Sequence, residues 1–124
     1  TSPDGITWTA QTLPSSQPWF SVTYGNGVFV AVGGNGVAAT SPDGITWTAQ
    51  TLPSSQCCTR VTYGNGVFVA VSGTAVAATS SDGITWTPQT LPSSEAWSSV
   101  TYGNGVFVAV SSTANISTVA ATSP

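Results

Sequence analysis

Three observations predict an all-β fold built from tandem, four-stranded antiparallel units. The segment TSPDGITWTAQTLPSS starts at Thr1, returns at Thr40, and returns at Thr79 with two substitutions, a strict 39-residue spacing. Each spacing also contains the same turn sequence between apolar β-formers: Gly25-Asn26-Gly27, Gly64-Asn65-Gly66 and Gly103-Asn104-Gly105. No stretch carries helical periodicity. Self-similarity at a period of roughly 20–50 residues marks supersecondary units that bury their apolar surface only against neighbouring copies.

The unit from Val22 to Leu52 illustrates the elements in order. Ser21-Val22-Thr23-Tyr24 is strand A, and Val28-Phe29-Val30-Ala31-Val32 is strand B. Asn26-Gly27 joins them, because a type I′ hairpin turn requires positive φ at both central residues. Gly33 to Gly36 turns the chain into strand C, Val37-Ala38-Ala39-Thr40. Asp43-Gly44 turns it again into Ile45-Thr46-Trp47-Thr48, where alternating apolar residues and threonines read as strand D, a half-exposed edge. Leu52-Pro53-Ser54-Ser55 leads to the next unit. Strand B is apolar at every position and must be covered on both faces. A four-stranded antiparallel meander of about 40 residues is the blade of a β-propeller. The predicted organisation is one repeat domain, 1–124. Residues 1–18 form an orphan outer strand (Ile6 to Gln11) and linker, 19–57 blade 1, 58–96 blade 2, and 97–124 a blade 3 lacking its last strand.

Composition narrows the function classes. Only Asp4, Asp43, Asp82, Glu95 and Arg60 are charged, and lysine, histidine and methionine are absent. Disorder needs low hydrophobicity with high charge, whereas 40% of this chain is hydrophobic, so it is expected to fold. Hydroxyls and backbone, rather than ions, must carry its solubility. A net charge of −3 with one cation excludes a nucleic-acid footprint. No apolar run approaches the roughly 20 residues that span a bilayer, so no membrane insertion is expected. Thr1 is no natural initiator and no signal peptide is visible, so the chain reads as processed, excised or engineered. The Ser/Thr-rich composition points to an extracellular or cell-surface location.

The run Ser2-Pro3-Asp4-Gly5-Ile6-Thr7-Trp8 resembles the Asp-box (BNR) motif of sialidase-like propellers. It recurs with Ser41, Asp43, Gly44 and Trp47, and again with Ser80, Asp82, Gly83 and Trp86, so the resemblance covers the whole chain. The spacing differs in one respect, since the family pattern has a residue between Asp and Gly that this sequence lacks. The resemblance implies a structural motif at the turn between the third and fourth strands of a blade, away from any active site. Physically, the Asp accepts backbone N–H bonds two residues on, Gly supplies positive φ, and Trp covers the hairpin. Sialidase chemistry does not carry over, because it requires an arginine cluster, a Tyr/Glu nucleophile pair and an acid. Arg60 is alone and three of four carboxylates belong to turns, so no catalytic set assembles. The chain is expected to be no enzyme and to need no cofactor. Two sulfurs without histidine make poor zinc ligands, so no metal is expected.

The copies differ mainly in two places. One is the D–A segment: Gln17-Pro18-Trp19-Phe20-Ser21, Gln56-Cys57-Cys58-Thr59-Arg60, and Glu95-Ala96-Trp97-Ser98-Ser99. The other is the B–C loop: Gly33 to Gly36, Ser72 to Ala75, and the expanded Ser111 to Thr118. In an up-and-down meander both connections emerge at the same edge. A rigid frame with variable loops on one side is a common way to build a binding surface, and drift in tolerant loops is the alternative. Trp19, Phe20, Cys58, Arg60 and Trp97 are the candidate binding face. Trp19 and Trp97 either stack on sugar rings or pack at strand starts. Adjacent cysteines rarely bond each other, so Cys57 and Cys58 are expected as free thiols or an interchain bridge. Asn115-Ile116-Ser117 is a glycosylation sequon.

Propellers close with roughly four to eight blades, and three units leave an orphan strand at one end and an unpaired edge at the other. An unpaired edge is an association site, so strand exchange between chains is expected to complete the fold. A closed head-to-tail ring and an open filament are the two outcomes. The reading that follows is a non-enzymatic recognition scaffold, an extracellular adhesin or lectin-like propeller that binds glycans. The alternatives are a structural subunit of an extracellular fibre and a designed or excised repeat without ligand.

Overall fold

The computed structural model describes residues 1–55, 57–74, 76–92, 96–111 and 120–123. Among these residues eleven strands run β1 (Trp19–Gly25), β2 (Val28–Gly33), β3 (Val37–Ser41), β4 (Thr48–Thr51), β5 (Arg60–Gly64), β6 (Val67–Val71), β7 (Val76–Ser80), β8 (Thr87–Thr90), β9 (Trp97–Gly103), β10 (Val106–Ser111) and β11 (Ala120–Ser123). They form three antiparallel sheets, ordered β1-β2-β3-β4, β5-β6-β7-β8 and β11-β10-β9. Among the described residues the only helical element is a 3₁₀ turn at Gly34–Gly36. Among the described residues no helix is long and apolar enough to cross a membrane.

Local chemistry explains each repeated element. The expected hairpins form: Asn26 and Gly27 have φ of 50° and 79°, Asn65 and Gly66 49° and 80°, and Asn104 and Gly105 50° and 81°. This double positive φ closes a two-residue loop whose twist matches the flanking strands. The register is identical in the three sheets, pairing Tyr24 with Phe29, Tyr63 with Phe68 and Tyr102 with Phe107. In each pair the rings tilt against one another with centroids 4.7 Å apart.

Strand D differs from the expectation. It starts at Thr48 and Thr87, not at Ile45 and Ile84. The backbone N–H groups of Ile45 and Thr46 are taken by the Asp43 carboxylate, which leaves the ladder to begin after Trp47. The stretch Ile6 to Gln11, read as an orphan strand, pairs with no described strand of the chain. Ile6 and Thr7 bond Asp4, and only Thr9 makes a rung, exchanging two 2.7 Å bonds with Thr1. That rung repeats the Thr40–Thr48 and Thr79–Thr87 pairings.

The core lies between sheets. β1 packs on β5 and β5 on β9, so the first strand of each sheet stands beside the first strand of the next. Val30, Val32, Ala38, Val61, Phe68 and Trp86 belong to the apolar cluster joining the first two sheets. Val71, Ala77, Trp97 and Ala109 form the second cluster. Strand B is largely buried in the first two sheets, where β2 contacts β5 and β6 contacts β9, whereas in the third sheet Val110 is exposed. The sequence expectation for the cysteines is corrected: Cys57 and Cys58 are bonded to each other. Both side chains turn into the same buried cluster, beside Leu52 and Val61, where neither sulfur is available to a second chain.

Candidate functional site

The three Asp-Gly turns have one geometry. In the central copy, Asp43 Oδ1 accepts the N–H groups of Ile45 at 2.8 Å and Thr46 at 3.0 Å, and the Ser41 hydroxyl at 3.0 Å. Ser41 Oγ in turn accepts N–H bonds from Asp43 at 3.3 Å and Gly44 at 2.8 Å. Gly44 has φ of +79°, and its carbonyl accepts a 3.1 Å bond from the Trp47 indole N–H. Ser2, Asp4, Gly5 and Trp8 repeat this network, as do Ser80, Asp82, Gly83 and Trp86. The N–H groups of Thr46 and Ile45 hold the Asp43 carboxyl below its ordinary value of 3.8. Ile6 and Thr7 do the same for Asp4, and Ile84 and Thr85 for Asp82. In each turn Oδ1 of the carboxylate is bonded within its own turn, so these groups organise the local backbone.

The two variable connections do meet at one edge. Gly34 N–H donates to the Pro18 carbonyl at 2.8 Å, and Asn35 Nδ2 donates to Gln17 Oε1 at 2.7 Å. In the same way Leu52 N–H reaches Gly36 O at 2.9 Å, and Thr59 N–H reaches Val71 O at 2.8 Å. Backbone bonds thus tie the B–C connections of the first two sheets to the segments entering or leaving those sheets. The candidate residues separate at this edge. Phe20 and Arg60 are exposed and share a cleft of about 280 Å³ with Thr59, Gly73, Ala96 and Ser98, floored by Trp97. Arg60 Nη1 donates to its neighbour's carbonyl, Thr59 O, at 2.7 Å. Trp97 is buried beneath this cleft and Cys58 is buried in the core. Trp19 is half-buried, with its indole N–H bonded to Ser15 O at 3.2 Å. Asn115 and Glu95 lie outside the described residues.

Sequence reasoning missed a second set of residues, those that join one sheet to the next. A Cβ built on Gly25 would fall within the ring of Tyr63, and one on Gly64 within the ring of Tyr102. Ser21 Oγ accepts a 3.2 Å bond from Val61 N–H across the same seam. The signal was present in the repeated Tyr-Gly of every copy. That glycine lies before the hairpin and none of the turn's positive-φ requirements applies to it.

No family model matches the chain, and no curated protein matches it in sequence. Twenty-six chains of solved structures match it. One is YCF48 bound to D1 peptide, a β-propeller protein that superposes with a TM-score of 0.67 at 20% identity. The match covers 87% of this chain and 38% of that one, so the chain spans well under half of its structural neighbour. With the repeated antiparallel sheets, this likeness establishes the architecture: the chain is a repeat scaffold of β-propeller type.

Proposed function

We propose that this scaffold is non-enzymatic and recognises a peptide segment at the edge where the variable connections meet. The observation that carries the reading is the cleft between Phe20 and Arg60. It brings together an exposed aromatic ring from one sheet and the chain's only cationic side chain from the next. A shallow apolar cleft flanked by one guanidinium suits an apolar residue followed by a carboxylate, since Arg pairs with carboxylates through a planar fork. The structural neighbour, described as bound to a peptide, supports a peptide over other ligands. A glycan has less to stack on here, because the Trp97 indole is buried and only part of Trp19 is open. The turns around Asp4, Asp43 and Asp82, which resemble Asp boxes, serve the frame in this reading. A hydroxyl-rich surface with few charges fits an extracellular or cell-surface location.

Parallel peptide and glycan arrays probed with the full chain test the proposal. The expected result is binding to peptides that combine an apolar residue with a carboxylate, lost in Arg60→Ala and Phe20→Ala at unchanged melting temperature. Glycan binding that survives both substitutions would replace the peptide reading with a lectin-like one. Silence on both arrays would remove the recognition function altogether.

A further inference from the structure

The two ends of the stack of sheets carry the two halves of the seam that joins its interior. At the interior seams a tyrosine of one sheet covers a glycine of the sheet before it: Tyr63 on Gly25, and Tyr102 on Gly64. Gly103 is the next glycine in this series, and among the described residues nothing lies within 4 Å of a Cβ built there. Tyr24 is the next tyrosine in the other direction, and it is 55% exposed. The valines follow the same rule. Val32 and Val71 are 0% and 1% exposed beneath the following sheet, whereas the equivalent Val110 is 44% exposed. Val61 is 6% exposed against the preceding sheet, whereas the equivalent Val22 is 60% exposed. The polar bond has its counterparts as well, since Ser99 stands where Ser21 accepts the Val61 N–H, and Val22 stands where Val61 donates it.

A groove of about 710 Å³ runs along the Val22 face. One wall is the first sheet, with Val22, Ala31 and Trp47, and the other is the amino-terminal turn, with Thr1 and Trp8. That turn holds the place of a preceding sheet's outer edge. The Thr1 methyl sits 3.3 Å from the Cβ position of Gly44, as the Thr40 methyl sits 3.2 Å from that of Gly83. What the groove lacks is the inner strands of such a sheet.

We propose that a second copy of this chain fills the groove with β9, β10 and β11, making a head-to-tail seam. Tyr24 of one copy covers Gly103 of the other, Val22 packs on Val110, and Ser99 Oγ accepts the Val22 N–H. Thr1-Ser2 repeats Thr122-Ser123, so the end of β11 takes the rung with Thr9 that Thr1 holds in the single chain. The occupant follows from continuity with the interior interfaces, whose residues recur unchanged at Tyr24, Val22, Gly103 and Val110. The exposed apolar rows at both ends are an association hazard for a lone chain, and this seam covers them together.

Light scattering across a wide concentration range tests the seam on the intact chain and on Gly103→Val. The native chain is expected to exceed the 12.5 kDa of one copy, as a closed ring or as a longer open series. Gly103→Val is expected to spare the single chain, because a Cβ there has no described neighbour within 4 Å, yet it collides with the partner's Tyr24. It should weaken association by about tenfold or more at unchanged circular dichroism. Val110→Asp provides a second block in an exposed position and should act alike. A native chain that stays single at all concentrations would overturn the proposal. So would a Gly103→Val chain that assembles like the native one.

Discussion

The Tyr63 ring packs against Gly25 so closely that it leaves no room for a methyl group between them. Tyr102 repeats the arrangement on Gly64. The glycine permits the first strands of adjoining sheets to approach closely, and the tyrosine fills the space that a side chain would have taken. This pair, more than any turn, sets how one sheet is placed on the next.

Gly25→Ala and Gly64→Ala should each destabilise the chain by about 1–3 kcal/mol, the usual cost of overpacking a filled contact. Gly103→Ala has the same sequence context but an empty surrounding, and should be neutral in the single chain. Denaturant unfolding of the three variants under conditions that keep the chain monomeric measures the contrast. Equal costs at all three positions would mean that the tyrosine contact is not the cause.

Trp86 and Trp8 make the same turn hydrogen bond, at 3.0 and 3.1 Å, but only Trp86 is buried. Trp86→Ala should therefore cost about 3–5 kcal/mol, and Trp8→Ala no more than about 0.5 kcal/mol in the isolated chain. Thermal unfolding followed by tryptophan fluorescence separates the two.

Gly66 has φ of +80° with nothing within 4 Å of its Cβ position. Gly66→Ala thus isolates the backbone requirement of the type I′ turn, and should cost roughly 1–2 kcal/mol. Asn65→Ala tests the other half of the turn, since a left-handed φ of 49° suits Asn better than Ala. Both variants should keep the strand register, checked by amide hydrogen exchange.

The Asp turns predict an acid limit to stability. The folded-state carboxyls lie below their ordinary value of 3.8, because hydrogen bonds from Thr46 and Ile45, and their equivalents, favour the charged form. A depressed pKa contributes stability that is fully present above the unfolded value and lost as pH falls through the folded one. The melting temperature should be level from neutral pH down to about pH 5 and fall below pH 4. Asp43→Asn keeps an acceptor oxygen without the titration and should show a shallower acid decline. Asp43→Ala orphans the N–H groups of Ile45 and Thr46 and should lower the melting temperature at every pH.

The hairpins, the Asp-Gly turns and the order of strands were legible from the chain alone. Each is decided within about ten residues, by a positive φ that only Gly or Asn accepts readily, or by a side chain bonding backbone two or three residues away. Tertiary structure decided what contacts between distant copies control. Trp8, Trp47 and Trp86 share one local sequence, yet their burial rises along the chain as a preceding sheet becomes available to cover them. The start of strand D moved from Ile45 to Thr48 because the Asp43 carboxylate outcompeted the ladder for two N–H groups. Trp97 and Cys58 read as surface candidates because loop position is local, and became core because residues of the neighbouring sheets pack into the same clusters. The Tyr-Gly seam was printed in every copy, but its meaning required seeing that a glycine and the tyrosine 38 residues further on meet across two sheets.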